Sequence, residues 1–222
     1  YGQPRVIELA DGRFRLFATG ADGIRSAISD DGVSFVVEDG LRVSAASVGA
    51  TSLTGPSNIV ETSDGRWRMY FSELPIPSGE PSPMADPVPG DSVPGTVTLT
   101  KHSIFSASSD DLETWVVDEG VRIGTDATLT GSGEHPAAIA NADGSVSIFY
   151  FRNDTKRLLV ATSEDGLLFT TETETGLSSD GLMANDPDIV RDGDGTVRII
   201  YNSGTDAGGW IYSASHPGDL PW

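Results

Sequence analysis

Two short stretches of the sequence have a carboxylate residue one or two positions before a proline. One is Gly-Glu-His-Pro at 133–136, and the other is Asn-Asp-Pro-Asp at 185–188. Two carboxyl groups that lie close together and are partly shielded from water acquire different pKa values, so that one is protonated and the other charged. Hydrolysis of a glycosidic bond needs such a pair, one group as general acid and the other as base or nucleophile. Glu134 and Asp186 are therefore the predicted catalytic pair.

These stretches can meet only if repeated elements bring them together, and the sequence repeats one unit four times. Each unit has a residue followed by proline, a short apolar strand, an Asp-Gly turn, and an alternating strand that ends in aromatic residues. The units begin near Gln3, Gly55, Glu134 and Asn185. Asp-Gly between alternating strands is a strong hairpin signal, and proline is tolerated at the first residue of a strand. The pattern predicts four hairpins of similar shape.

A second phrase recurs further along each unit. It is SAISDDGVSF at 26–35, SASSDDLETW at 106–115, VATSEDGLLF at 160–169 and SASHPGDLPW at 213–222. The pattern predicts a third strand, a polar turn, and an aromatic residue that fixes the start of a fourth strand. Four-stranded units of about 50 residues repeated around an axis are typical of a β-propeller. The sequence therefore predicts an all-β propeller.

The spacing of the units predicts a single propeller domain over residues 1–222. The predicted units are 1–52, 53–133, 134–184 and 185–222. The second unit is longer because of a Pro-rich insertion at 73–101, where the prolines favour a stiff, extended loop over a regular ladder. Such a loop either walls a pocket or is a tolerated surface insertion. The fourth unit lacks a fourth strand, so we expect an unusual ring closure or a blade missing from the chain.

The innermost strands of a propeller surround its axis, so side chains near their starts face one another. Besides the catalytic pair, the residues expected to line the pocket and bind substrate are Asn58, His135, Asn185 and Asp188. Trp210 breaks the repeat pattern, and we interpret it either as a sugar-stacking platform or as a packing residue. The pair itself has a simpler alternative, because Asp186 could only cap its turn and Glu134 could be a solvated loop residue.

The composition limits the classes of molecule that the protein is expected to bind. The 222 residues include 33 acidic and 14 basic ones, a formal net charge of -19, and this field repels nucleic-acid phosphates and anionic membranes. No apolar run approaches the roughly 18 residues that cross a membrane. We therefore expect a monomer that binds carbohydrate, with no nucleic-acid or membrane partner. An acidic surface of this kind is typical of secreted or salt-exposed proteins, so we expect a secreted or periplasmic location.

No cofactor is predicted. Cysteine is absent, which excludes disulfides and cysteine-type zinc sites, and the three histidines share no zinc-type spacing. Calcium is the alternative that so many acidic residues allow. However, the Asp-Gly-Asp-Gly stretch at 192–195 lacks the spacing of an EF-hand loop and is better interpreted as the hairpin turn of the fourth unit.

With these residues in place, the chain resembles the five-bladed propellers of the family 43 glycoside hydrolases and their arabinanase, levansucrase and invertase relatives. The resemblance covers essentially the whole chain and depends on the residue-Pro and Asp-Gly strand pairs and on the Ser-Ala, Asp-Gly and aromatic phrases. It implies an Asp base at the start of the first blade, an assisting Asp in the second, and a Glu acid two residues before a proline in the third. Glu134 matches this last position, so the resemblance implies that Glu134 is the acid.

The other two positions depart from that family. Gln3 and Gly55 stand where the family has Asp before proline, and Asp186 fits the Asp-Pro pattern in the fourth unit rather than the first. Two alternatives stay open. In one, a further blade carries the base and the protein acts on plant or microbial polysaccharide or oligosaccharide. In the other, the chain is a divergent propeller that binds glycans without cleaving them.

Overall fold

The structure is a computed structural model that describes residues 2–74, 102–177, 183–205 and 208–218. These residues form four antiparallel β-sheets arranged in a ring, which confirms the predicted all-β propeller. The remainder of the predicted Pro-rich insertion, 75–101, lies outside the described residues. Within the described ranges no helix is long and apolar enough to cross a membrane.

The first two sheets have five strands each, and one turn of 3-10 helix, Ala45–Val48, lies between them. The strands of the first sheet are β1 (Gly2–Glu8), β2 (Phe14–Gly20), β3 (Gly23–Ser29), β4 (Val36–Val37) and β5 (Val43–Ser44). The strands of the second sheet are β6 (Ser52–Thr54), β7 (Val60–Glu61), β8 (Trp67–Leu74), β9 (Ile104–Ser109) and β10 (Val116–Val117). Both β6 and β7 pair with β8, so together they occupy the place of one innermost strand.

The last two sheets are simpler, with four strands and three strands among the described residues. The strands of the third sheet are β11 (Glu134–Ala140), β12 (Val146–Arg152), β13 (Arg157–Ser163) and β14 (Thr171–Glu174). The strands of the fourth sheet are β15 (Met183–Arg191), β16 (Val197–Thr205) and β17 (Gly208–His216). The Asp-Gly pairs lie in the turns between the first and second strands of each sheet, as the hairpin signal predicts.

Apolar side chains pack the sheets against one another in sequence. Buried members of the three clusters include Phe17, Met69 and Phe71 between the first and second sheets, Tyr70, Tyr150 and Phe169 between the second and third, and Phe149 and Ile199 between the third and fourth. The first and fourth sheets are linked by an ion pair, because Arg5 Nη2 lies 3.6 Å from Asp188 Oδ1. The ring therefore places the starts of the innermost strands around one axis.

Candidate active site

The residues that precede the prolines share one unusual backbone conformation. Gln3, Gly55, His135 and Asp186 have φ angles of 50°, 108°, 53° and 46°. Three of these residues are not glycine, and a positive φ is strained for a residue that has a Cβ atom. The register of β1, β11 and β15 shifts at the same place, as in a β-bulge. A bulge redirects a side chain, and here it occurs where the innermost strands meet.

Three of these side chains meet at the axis. His135 Nδ1 is in contact with Asp186 Oδ1, and Gln3 Nε2 lies 3.1 Å from the same nitrogen. Gln3 Oε1 accepts a hydrogen bond from the backbone N–H of Gly55, while Asn202 Nδ2 donates to Asp186 Oδ2 at 2.6 Å. We call Gln3, His135, Asp186 and Asn202 the axial cluster. It joins the first, third and fourth sheets through side chains and the second through a backbone amide.

The axial cluster keeps its carboxylate ionised. Burial by itself raises the pKa of Asp186, but hydrogen bonding to His135, the charge of that ring and the amide of Asn202 outweigh it, so the net shift of the pKa is downward. A hydrogen-bond donor that faces a carboxylate stabilises its charged form. Asp186 is therefore suited to accept a hydrogen bond or hold a cation, and it is not suited to act as a general acid.

Glu134 lies next to the axial cluster but has different partners. Its Oε1 accepts a hydrogen bond from Asn153 Nδ2 at 2.8 Å and lies 3.5 Å from His102 Nε2. The ring of His102 is in turn held at 2.8 Å by the carbonyl oxygen of Glu73. The Glu134 side chain is only 13% exposed. In this structure the partner of Asp186 is His135 rather than Glu134, because the register shift and the positive φ of His135 turn its ring towards Asp186.

Two further residues predicted to line the pocket have partners within the protein. Asn185 Oδ1 accepts a hydrogen bond from the backbone N–H of Asp186 at 2.8 Å, an arrangement typical of turns. Asp188 accepts one from the N–H of Ile189 at 2.9 Å and forms the ion pair with Arg5. Both side chains therefore help to shape the start of β15. Their contact with substrate stays a prediction.

Asn58 lies further along the axis than the cluster. Its Nδ2 donates to the carbonyl oxygen of Ile189 at 2.8 Å, and its Oδ1 is buried without a hydrogen-bond partner among the described residues. It lines a cavity of about 330 Å³ between the innermost strands of the second, third and fourth sheets. Trp210, in contrast, lies on the outer strand β17 and is 75% exposed. It pairs with Ser203, at the end of the sheet where the cluster lies.

Sequence reasoning missed several members of the site. In the sequence, Gln3 is notable only because it departs from the family pattern. In the structure, its side chain contacts His135. Asn153 and Asn202 hold the two carboxylates, and each comes within two residues after the last aromatic residue of a second strand. That nearness is the signal that could have identified them, since the end of the second strand lies beside the start of the first in an antiparallel hairpin.

Among the described residues, no group of three or more His, Asp or Glu side chains is arranged to hold a metal ion. The four residues of the axial cluster supply two amides, one imidazole and one carboxylate. A calcium site usually needs six to eight oxygen ligands, and this set does not provide them.

No family model matches the sequence, and no curated protein matches it either. Solved structures do match it. A thermostable family-43 glycoside hydrolase is similar with a TM-score of 0.68 and 16% identity over 99% of this chain and 70% of that one. The fold is that of the family-43 glycoside hydrolase propellers. At this identity the likeness establishes the fold alone, and it confirms the resemblance that the sequence predicted.

Two other family-43-like structures extend the comparison. An alpha-L-arabinofuranosidase from Lactobacillus brevis has a TM-score of 0.68 and 13% identity, over 98% of this chain and 68% of that one. An exo-beta-1,3-galactanase from Clostridium thermocellum has a TM-score of 0.63 and 14% identity, over 95% of this chain and 47% of that one. The chain thus spans less than half of the galactanase. The chain shares the propeller fold of these three proteins and covers 70%, 68% and 47% of their chains.

Proposed function

We propose that this propeller hydrolyses glycosidic bonds of a plant or microbial polysaccharide or oligosaccharide at the end of the axis where the axial cluster lies. The observation that carries the proposal is the convergence of His135 and Asp186 at the axis beside Glu134. The shared fold with glycoside hydrolases supports the same reaction class. The net charge of -19 favours neutral glycans over anionic ones, because like charges repel.

Glu134 would act as the general acid. Asn153 and His102 occupy its Oε1, whereas its Oε2 has no hydrogen-bond partner among the described residues. Oε2 would therefore carry the proton and donate it to the leaving oxygen of the glycoside. Asp186 would serve as the base or as the group that tunes the base. Asn58, Asn185, Asp188 and Trp210 remain proposed substrate contacts.

The substrate class guides the first assays. An arabinofuranosidase and a β-1,3-galactanase are among the similar structures, so aryl arabinofuranosides, aryl galactosides and β-1,3-linked galactan are the first probes. A polysaccharide substrate is met outside the cytoplasm, and a secreted or periplasmic location is part of this proposal. A monomer suffices for it, since the proposed acid and its partners belong to one chain.

The second candidate function is glycan binding without cleavage. Gln3 and Gly55 favour it, because neither supplies a carboxylate where the resembling family has Asp, and the two are hydrogen-bonded to each other instead. A binding propeller needs hydrogen-bond donors and exposed aromatic rings, and Asn202 and Trp210 could provide these.

Replacing Glu134 by Gln separates the two functions. Loss of a general acid lowers activity by about 10²–10⁴-fold, while the amide keeps a hydrogen-bonding oxygen opposite Asn153. We expect the E134Q protein to lose turnover of aryl glycosides and galactan, to keep its circular dichroism spectrum, and to keep sugar binding in calorimetry. E8Q on the exposed end of β1 is the control. Turnover in E134Q equal to that of the native protein contradicts the acid, and sugar binding by a native protein that cleaves nothing favours the second function.

A further inference from the structure

We propose that His135 is the general base of this site and that Asp186 is a positioning residue that orients the imidazole. This inference depends on the proposed glycosidic hydrolysis and specifies how its water is activated. It assigns to an imidazole the part that Asp186 itself would otherwise take. Four features of the axial cluster lead to it.

The first feature is the distribution of protons around His135. Its Nδ1 is in contact with both Asp186 Oδ1 and Gln3 Nε2, but a ring nitrogen either donates one hydrogen bond or accepts one. The Gln3 amide is oriented by the Gly55 N–H, which its Oε1 accepts. Since Asp186 carries a full negative charge and Gln3 carries none, the proton of Nδ1 goes to the carboxylate.

The second feature is that the other ring nitrogen of His135, Nε2, stays free. When Nδ1 carries the proton, Nε2 of a neutral imidazole has a lone pair. Nε2 has no hydrogen-bond partner among the described residues, and the ring is 25% exposed at the axis. A histidine that is held through Nδ1 by a carboxylate and is open at Nε2 is the arrangement that general bases use.

The third feature is the cost of holding the ring in place. His135 has a φ of 53°, a strained angle for a residue with a Cβ. Such strain persists only where the surroundings fix it. Here Pro136 follows in the strand, and Gln3 and Asp186 contact the ring from two other sheets.

The fourth feature is the relation of His135 to Glu134. The two residues are adjacent on β11 and have separate partners, Asp186 on one side and Asn153 on the other. An acid and a base of a hydrolase with a single displacement must approach the substrate from different sides, with room for water between base and anomeric carbon. Adjacent residues of one strand can provide this, because their side chains diverge.

The chemical step balances with these two groups and one water. Nε2 of His135 accepts a proton from water while the water oxygen bonds to the anomeric carbon. The bond from that carbon to the leaving oxygen breaks, its electron pair stays on the leaving oxygen, and Glu134 donates a proton there. The products are a sugar hemiacetal and an alcohol. The imidazolium then releases its proton to solvent, and the Glu134 carboxylate takes one up.

The charges around His135 determine which ring nitrogen holds the proton. The charged and titratable groups around the ring are Asp186 on β15, the adjacent Glu134 on β11, and the ion pair of Arg5 with Asp188; Gln3 and Asn202 are uncharged. A base works only when it is unprotonated at the nitrogen that faces water. Replacing Asp186 by Asn removes the negative charge that holds the proton on Nδ1.

The kinetic experiment compares four variants of the whole chain on an aryl glycoside that the native protein cleaves. We expect H135A and D186N to lose about 10²–10⁴-fold in kcat/KM. H216A, which replaces a histidine at the far end of β17, should match the native protein. Sodium azide should restore turnover to H135A, because the anion needs no base, and should leave E134Q inactive. Native-like turnover in H135A, with E134Q inactive, would overturn the base and leave the proposed function standing.

A second measurement does not depend on activity. The chain has three histidines, so ¹⁵N-edited nuclear magnetic resonance can assign each ring through H102A, H135A and H216A. We expect neutral His135 to carry its proton on Nδ1 in the native protein and to lose this preference in D186N. A proton on Nε2 at neutral pH would overturn the inference, even if the native protein cleaves no glycoside.

Discussion

Single aspartates organise the polar turns before the fourth strands. Asp31 Oδ1 accepts hydrogen bonds from the Ser29 hydroxyl at 2.9 Å and from the N–H groups of Val33 and Ser34 at 2.8 and 2.7 Å. The backbone donors are the main cause of a pKa that falls to about 2 for Asp31, and the equivalent Asp111 has the same value for the same reason. At the scale of the residue, these turns therefore depend on a negative charge.

This charge predicts how stability depends on pH. Because the folded pKa lies below the ordinary value of 3.8, the contribution is complete above about pH 4 and is lost as the pH falls towards 2. We expect D31N and D111N to be less stable than the native protein at pH 6 and equal to it at pH 2. Thermal unfolding followed by circular dichroism across this range tests it, with the exposed D39N as control. A constant difference across the range would contradict the prediction.

At the scale of the element, the turn of the third sheet also fastens the second sheet. Tyr70 Oη donates to the carbonyl oxygen of Gly166 at 2.8 Å, and Arg68 Nη1 donates to that of Asp165 at 2.9 Å. Gly166 has a φ of 71°, and a Cβ there would lie 2.8 Å from Arg68 Nη1 and 2.9 Å from Tyr70 Oη. The turn accepts only glycine because two buried side chains approach its backbone.

A pair of glycine substitutions separates backbone strain from close contact. Gly12 has a φ of 84° in the turn between β1 and β2, and a Cβ there would meet nothing within 4 Å. G12A should cost only the left-handed strain, about 1–2 kcal/mol, whereas G166A should cost more because the turn or the arginine must move. Urea unfolding gives both free energies. Equal losses in the two variants would show that the contacts of Gly166 do not matter.

At the scale of the whole molecule, an arginine of the second strand reaches from one sheet to the next. Arg15 Nη1 donates to the carbonyl oxygen of Leu112 at 3.1 Å, as Arg68 does to Asp165. Arg68 is 1% exposed and also binds Asp118. Arg198 has the same place in the fourth unit but is paired with Asp192 of its own sheet at 2.8 Å. The ring is thus held by apolar clusters and by arginines between successive sheets.

The repeat supplies a matched pair of variants for this role. R68M leaves Asp118 buried without its cation, and breaking a buried ion pair costs about 3–5 kcal/mol. R198M removes an exposed pair of the same repeat position, which is worth about 0–1 kcal/mol. Urea unfolding should show this difference, together with loss of cooperativity in R68M alone. Similar losses in both variants would mean that the arginines do not join the sheets.

The sequence alone determined the propeller, because its signals are local and repeated. The Asp-Gly turn between Ile7 and Phe14 and its three counterparts fix hairpins within about 15 residues, and alternation fixes which face is apolar. The same repetition indicated that Gln3, Gly55, His135 and Asp186 occupy equivalent places. From that equivalence, a site at the axis could be predicted before any coordinates.

Only the tertiary structure decided which side chains meet there. A strand sends neighbouring residues to opposite sides, so whether Glu134 or His135 faces the axis depends on the bulge and the positive φ of His135. Those distortions are held by contacts with Gln3 and Asp186, which lie 132 and 51 residues away in the chain. Such contacts have no trace in the local pattern of the sequence. For this reason the sequence predicted Glu134 and Asp186 as a pair, whereas the contact of Asp186 with the imidazole of His135 came only from the structure.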